Sequence, residues 1–163
     1  LEAKLSAWLG VNHFLWLHHG YLAGDDTDSH IDTLARLCPD DTIAYVRCDD
    51  PDDEHYAALQ TMEGELQAFR TKEGKPFNLT PLPWPDACYA ADGHRLPATY
   101  ANFLIINGAV LMPTYGVPQD EKALKAIASC FPDREIIGIN CRSLIEQHGS
   151  LHCISMQYPE GAF

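Results

Sequence analysis

Thr42 to Arg70 reads TIAYVRCDDPDDEHYAALQTMEGELQAFR, and its two ends follow different periods. TIAYVRC is a short apolar run rich in β-branched and aromatic residues, the pattern of a buried strand. The remainder has the marks of a helix: Asp50 as N-cap, Pro51 at the first helical position, and acidic residues where the helix dipole favours negative charge. Tyr56, Leu59, Met62, Leu66 and Phe69 then recur every three or four residues, giving one apolar stripe toward a core. A buried strand running straight into an amphipathic helix predicts an α/β fold.

Working outward, HIDTLARL (30–37) reads as a strand joined to TIAYVRC by the turn CPDD, and PFNLTPLPWP (76–85) as a proline-bounded extended segment. The unit is therefore strand, strand, helix, strand. The order recurs downstream: ANFLIING and AVLMPTYG are two apolar strands around Asn107-Gly108, PQDEKALKAIASCF is a helix with Leu124, Ile127 and Phe131 inward, and REIIGIN is a strand. A short helix, CRSLIEQHG, and a strand, SLHCISMQY, would begin a third unit, and VNHFLWLHHG (11–20) reads as a further short strand. Repeated ββαβ units point to a modular, propeller-like ring. The opening LEAKLSAWLG looks like the second half of a helix capped by Gly10, which suggests a fragment, with part of any active site upstream.

The chain has 163 residues, 46% of them hydrophobic, which suits one globular domain. With 11 Lys and Arg against 23 Asp and Glu, the formal charge of -12 repels phosphate backbones and anionic membranes and attracts small cations. No apolar run reaches the ~18 residues of a membrane span, and a cytoplasmic location is expected. Six cysteines, none in a C-x-x-C pair, read as reduced thiols.

Four carboxylates and one imidazole crowd Asp25 to Asp32 (DDTDSHID), a cluster suited either to a metal or to a cationic substrate and its protons. Spacing argues against known metal loops. An EF-hand begun at Asp26 needs Gly where Ile31 stands and Glu where Leu37 stands, and a zinc deaminase needs H-x-E with P-C-x-x-C. A mononuclear site of Asp25, Asp26 and His30 stays open as a metal-dependent alternative. If HID is a strand, His30 and Asp32 share a face and can serve one site. By the same rule Cys153 faces away from His152, which makes His152 a poor base for it.

Three blocks, WLHHGYLAGDDTDSHIDTLARL, YANFLIINGAVLMPTYGVPQDEKALKAIASCFPDREIIGI and QHGSLHCISMQ, together resemble the C-terminal half of the agmatine deiminases and bacterial peptidylarginine deiminases. The resemblance implies a five-bladed α/β propeller, or pentein, of which residues 1–163 are the C-terminal portion of one catalytic domain with its N-terminal half absent. It implies hydrolysis of agmatine to N-carbamoylputrescine and ammonia, as in polyamine and putrescine biosynthesis, with no metal or other cofactor. Residue by residue, Cys153 falls on the nucleophile, His30 on the catalytic histidine and Asp32 on the guanidinium-binding carboxylate, while Asn102 matches a polar substrate-binding position. Ser29 stands where the family carries Gly, and the family's W-x-R-D segment is missing. The chemistry suits these residues: a delocalised guanidinium is a poor electrophile that needs a strong nucleophile and a planar carboxylate partner. Arginine or peptidylarginine is the alternative substrate, and a catalytically inactive fragment the alternative of another class. Expected partners are a small guanidinium compound, the missing half and a possible second copy, not nucleic acid or membrane.

Overall fold

A computed structural model describes residues 1–25 and 30–162. Asp26 and Asp28 of the acidic loop lie outside the described residues, so the metal alternative that used Asp26 is not described either.

Both ββαβ units are present. In the first, β1 (Ala35–Cys38) pairs antiparallel with β2 (Thr42–Val46), and β2 pairs in parallel with β3 (Asn78–Leu82). The β1–β2 turn places Asp40 and Asp41 at φ 55° and 51°, a left-handed conformation that aspartate tolerates and that matches the strand twist. Helix α2 (Tyr56–Ala68) makes the crossover and buries Leu59, Met62 and Leu66. The second unit repeats the plan with β4 (Leu104–Ile106), β5 (Ala109–Thr114), α3 (Asp120–Cys130) and β6 (Glu135–Asn140). Gly108, at φ 77°, closes its tight β4–β5 turn.

The two sheets share one core. Helix α3 packs on β3 of the first unit as well as on its own β6, and Tyr45, Leu59, Tyr100, Phe103 and Ile127 are fully buried within a single apolar cluster. Polar bonds also cross between the units. Thr99 Oγ1 donates to the Thr33 carbonyl at 2.6 Å, and Arg36 Nη1 donates to the Phe103 carbonyl at 2.7 Å with its guanidinium 4.8 Å above the Phe103 ring.

Several expectations are corrected. Residues 11–20 form no strand; the segment is held instead by Glu65, which accepts from the backbone N–H of His18 and His19 and from the His19 ring. Asp50 and Pro51 do not open α2, which starts at Tyr56. The reason is local: Asp50 accepts from the Asp52 amide and Asp53 from the His55 amide, so short acidic side chains turn the backbone before the helix can begin. The strand expected from His30 begins only at Ala35, because Ile31–Thr33 is a 3-10 turn with Thr33 bonded back to the His30 carbonyl. The last helix shrinks to the 3-10 turn Ile145–Gln147, and residues 151–154 form turns rather than a strand. The first helix, α1 (Glu2–Leu9), does end at Gly10, whose φ of 69° is the left-handed cap expected there.

Candidate active site

Asn102 stands two residues before β4, fully buried, where a side-chain amide must be bonded on both ends. Its Nδ2 donates to Asp32 Oδ2 at 2.9 Å and to Cys153 Sγ at 3.2 Å. Its Oδ1 accepts from the backbone N–H of His152 at 2.8 Å and of Cys153 at 3.3 Å. That orientation follows from the chemistry, since the amide nitrogen can serve only the acceptors and the oxygen only the backbone donors. One side chain therefore ties the 3-10 turn of the first unit to the turn that carries the exposed thiol of Cys153.

Asp32 is largely covered, with 17% of its side chain exposed, and a buried carboxylate is costly unless bonded. Besides Asn102 it accepts from His152 Nδ1 at 2.6 Å, and the Cys153 thiol lies 3.7 Å from the same oxygen. Arg36, next to this group on β1, has its guanidinium pushed down by burial and drawn partly back up by the Asp32 carboxylate. It remains a cation at any ordinary pH. The cluster opens on a cleft of about 850 Å³ lined by Trp16, His18, Asp32, Arg36, Phe69 and His152 among others.

Of the four residues singled out in the sequence, Asp32, Asn102 and Cys153 meet here. His30 does not share their hydrogen bonds among the described residues; it is exposed and precedes the 3-10 turn, its carbonyl accepting from Thr33 Oγ1 at 2.8 Å. His30 and Asp32 share no strand face, because His30 precedes and Asp32 lies within the 3-10 turn Ile31–Thr33. The same correction applies to His152: in a turn it is not directed away from the site, and it bonds to Asp32 beside Cys153. A local period could not have found this, for the two partners are 120 residues apart.

The turn bearing Cys153 is closely fitted. A Cβ on Gly149 would stand 3.1 Å from Cys153 Cβ and 3.7 Å from its Sγ. His148, at φ 68°, bonds through Nδ1 to the Gly24 carbonyl at 2.9 Å, which joins this turn to the start of the acidic loop. All six cysteines are free thiols, and among the described residues no group of three or more His, Cys, Asp or Glu side chains is placed to hold a metal ion.

The sequence profile of the Porphyromonas-type peptidyl-arginine deiminases matches residues 1–159. The chain belongs to that family. Among curated proteins it is 30% identical to the agmatine deiminase of Pseudomonas fluorescens, over 98% of this chain and 48% of that protein. A solved structure from Porphyromonas gingivalis, assigned as an arginine deiminase, superposes with a TM-score of 0.94 at 58% identity, covering 98% of this chain and 47% of that one. A cysteine-to-serine variant of the C. jejuni agmatine deiminase, solved with substrate bound, superposes at 0.84 with 44% identity over 92% of this chain and 43% of that one. The chain thus spans about half the length of the relatives it matches, and its α/β fold of small sheets is theirs. Among the described residues no helix is long and apolar enough to cross a membrane.

Proposed function

We propose that residues 1–163 are the C-terminal portion of a single deiminase domain, part of a five-bladed propeller. In this reading the domain hydrolyses agmatine to N-carbamoylputrescine and ammonia. The observation that carries the reading is the bonding of Asn102 to both Asp32 and Cys153, which sets a thiol and a carboxylate 3.7 Å apart on an acidic chain. A planar cation fits alongside such a pair: the carboxylate takes guanidinium N–H bonds while the neighbouring sulfur approaches the central carbon. The Cys153 thiolate forms the C–S bond, and the C–N bond to the departing nitrogen breaks as His30 protonates it to ammonia. Water then adds to the thiouronium carbon, giving its proton to His30, and the C–S bond breaks to release the ureido product and the thiolate. Asn102 supports the carboxylate and the sulfur throughout.

Cys153→Ser in the full-length protein tests this reading, because a hydroxyl has no accessible anion at neutral pH. Ammonia release should vanish with the melting temperature unchanged; a variant that still turned over would end the nucleophile assignment. The family and the P. gingivalis relative favour a second reading, in which arginine or peptidylarginine is the substrate. Specificity constants for agmatine, free arginine and an arginyl peptide decide between them.

A further inference from the structure

The described contacts of the Asp32 carboxylate all fall on one oxygen. Asn102 Nδ2, His152 Nδ1 and the Cys153 thiol converge on Oδ2 at 2.9, 2.6 and 3.7 Å. Asn102 grips the backbone of residues 152 and 153, whereas the His152 ring makes the shorter of the two side-chain contacts, 2.6 Å against 3.7 Å for the thiol, that run from the Cys153 turn to Asp32. Because Nδ1 faces a carboxylate, it carries the ring proton, and the other edge of the imidazole is left toward the cleft that His152 helps to line, with 36% of the side chain exposed.

We propose that His152 is a positioning residue that holds Asp32 in register with Cys153. The inference rests on the deiminase reading of this site. A carboxylate anchored through Oδ2 by two donors from different segments cannot rotate about its last bond, so its plane and its Oδ1 are fixed for a guanidinium. Because His152 is the direct neighbour of Cys153, one dipeptide carries both the nucleophile and the donor that orients the substrate-binding carboxylate. A shift of the turn then moves both together, and their separation is preserved. Misplacement by about 1 Å in such a geometry costs on the order of a hundredfold in rate.

The test is a set of variants in the full-length enzyme. His152→Leu keeps bulk and removes the donor; His152→Asn places its amide nitrogen where Nδ1 stands. Loss of a hydrogen bond to a charged group predicts a fall in kcat/KM for agmatine of about tenfold to a hundredfold with leucine, and asparagine should restore activity to within about threefold. In an Asp32→Asn background the leucine change should cost little more, since its effect runs through the lost carboxylate. Melting temperatures separate these effects from unfolding, and His152→Gln, whose donor sits one bond further out, replaces leucine if that variant does not fold. The proposal is overturned by a leucine variant as active as wild type, by an asparagine variant as damaged as leucine, or by a leucine effect of full size in the Asp32→Asn background. A wild-type enzyme inert on agmatine, arginine and arginyl peptides removes the deiminase reading itself, and this inference with it.

Discussion

Asp32 shows how charge and shape separate at a single residue. Its Oδ2 accepts from Asn102 and His152, and an amide oxygen in the same place would accept from both. Asp32→Asn therefore keeps the scaffold and removes the charge that pairs with a guanidinium. Stability should change little while kcat/KM for agmatine falls about tenfold to a hundredfold, the worth of a charge-assisted contact. Steady-state kinetics beside a thermal melt read both quantities, and an unchanged specificity constant would exclude Asp32 from substrate binding. Gly149→Ala tests the approach to the thiol. The added Cβ, 3.1 Å from Cys153 Cβ, is tighter than ordinary contact and needs the cysteine to give by a few tenths of an ångström, which loosens its fit to Asn102. Turnover should drop, and alkylation of Cys153 by iodoacetamide should change its rate, with the core undisturbed. At this scale residue chemistry was legible in the sequence but contact was not. Asp32 and Cys153 stood out by type, yet the bonds that unite them span 51 to 121 residues and leave no trace in a local period.

The elements divide by how much of their structure local pattern decides. Strands β2, β3, β5 and β6 and helix α3 lie where apolar runs and helical spacing put them, since each turns apolar side chains that the pattern already marks toward the core, fully buried in β2, β5 and α3 and half-buried in β6. The start of α2 does not, because Asp53 serves a tertiary network instead of the helix. Asp53 accepts from Arg95 Nη2 at 2.8 Å, from Trp84 Nε1 at 3.2 Å and from the ring of His55 at 2.6 Å. Burial alone would raise the Asp53 carboxyl, but Arg95 and His55 hold it well below the usual carboxylate range. His55 is fully buried, donates from Nδ1 to Asp53, and accepts the Ala23 amide proton on Nε2 at 2.8 Å, so it is neutral in the fold. Desolvation pushes its pKa below the ordinary histidine value, with Asp53 offsetting part of the shift. The unfolded chain thus takes up a proton that the folded chain refuses, and this contribution to stability is present above about pH 6.5 and declines on acidification. Melting temperature should fall from about pH 7 to about pH 5, and His55→Gln should flatten that slope. Equal slopes in the two proteins would remove His55 as its source.

At the scale of the molecule, the surface is the informative part. Trp8, Leu9, Trp16, Leu37, Ile154 and Met156 are exposed, a pattern suited to coverage by further protein. The two sheets also end in unpaired strand edges among the described residues. If residues 1–163 are the C-terminal portion of the proposed deiminase domain, then expressed alone they should self-associate and show no agmatine turnover, because in that reading the guanidinium is held from one side only. Light scattering and an ammonia assay check this, and a monomeric, fully active preparation would contradict it. The ββαβ repeat was legible because each unit is built from local periods. The expected third unit was not realised, since residues 141–158 are shaped by bonds to Asn102, Asp32 and Gly24 that lie far away in the chain.

The central claim is that Cys153 becomes covalently bonded to the guanidinium carbon. Full-length enzyme quenched with acid during turnover of agmatine, then digested and analysed by mass spectrometry, measures it directly. The account predicts the peptide containing Cys153 heavier by the mass of agmatine less ammonia, and no such increment in the Cys153→Ser variant quenched at the same time. Turnover with that peptide unmodified, or with the increment on Cys38, Cys48, Cys88, Cys130 or Cys141 instead, would contradict it.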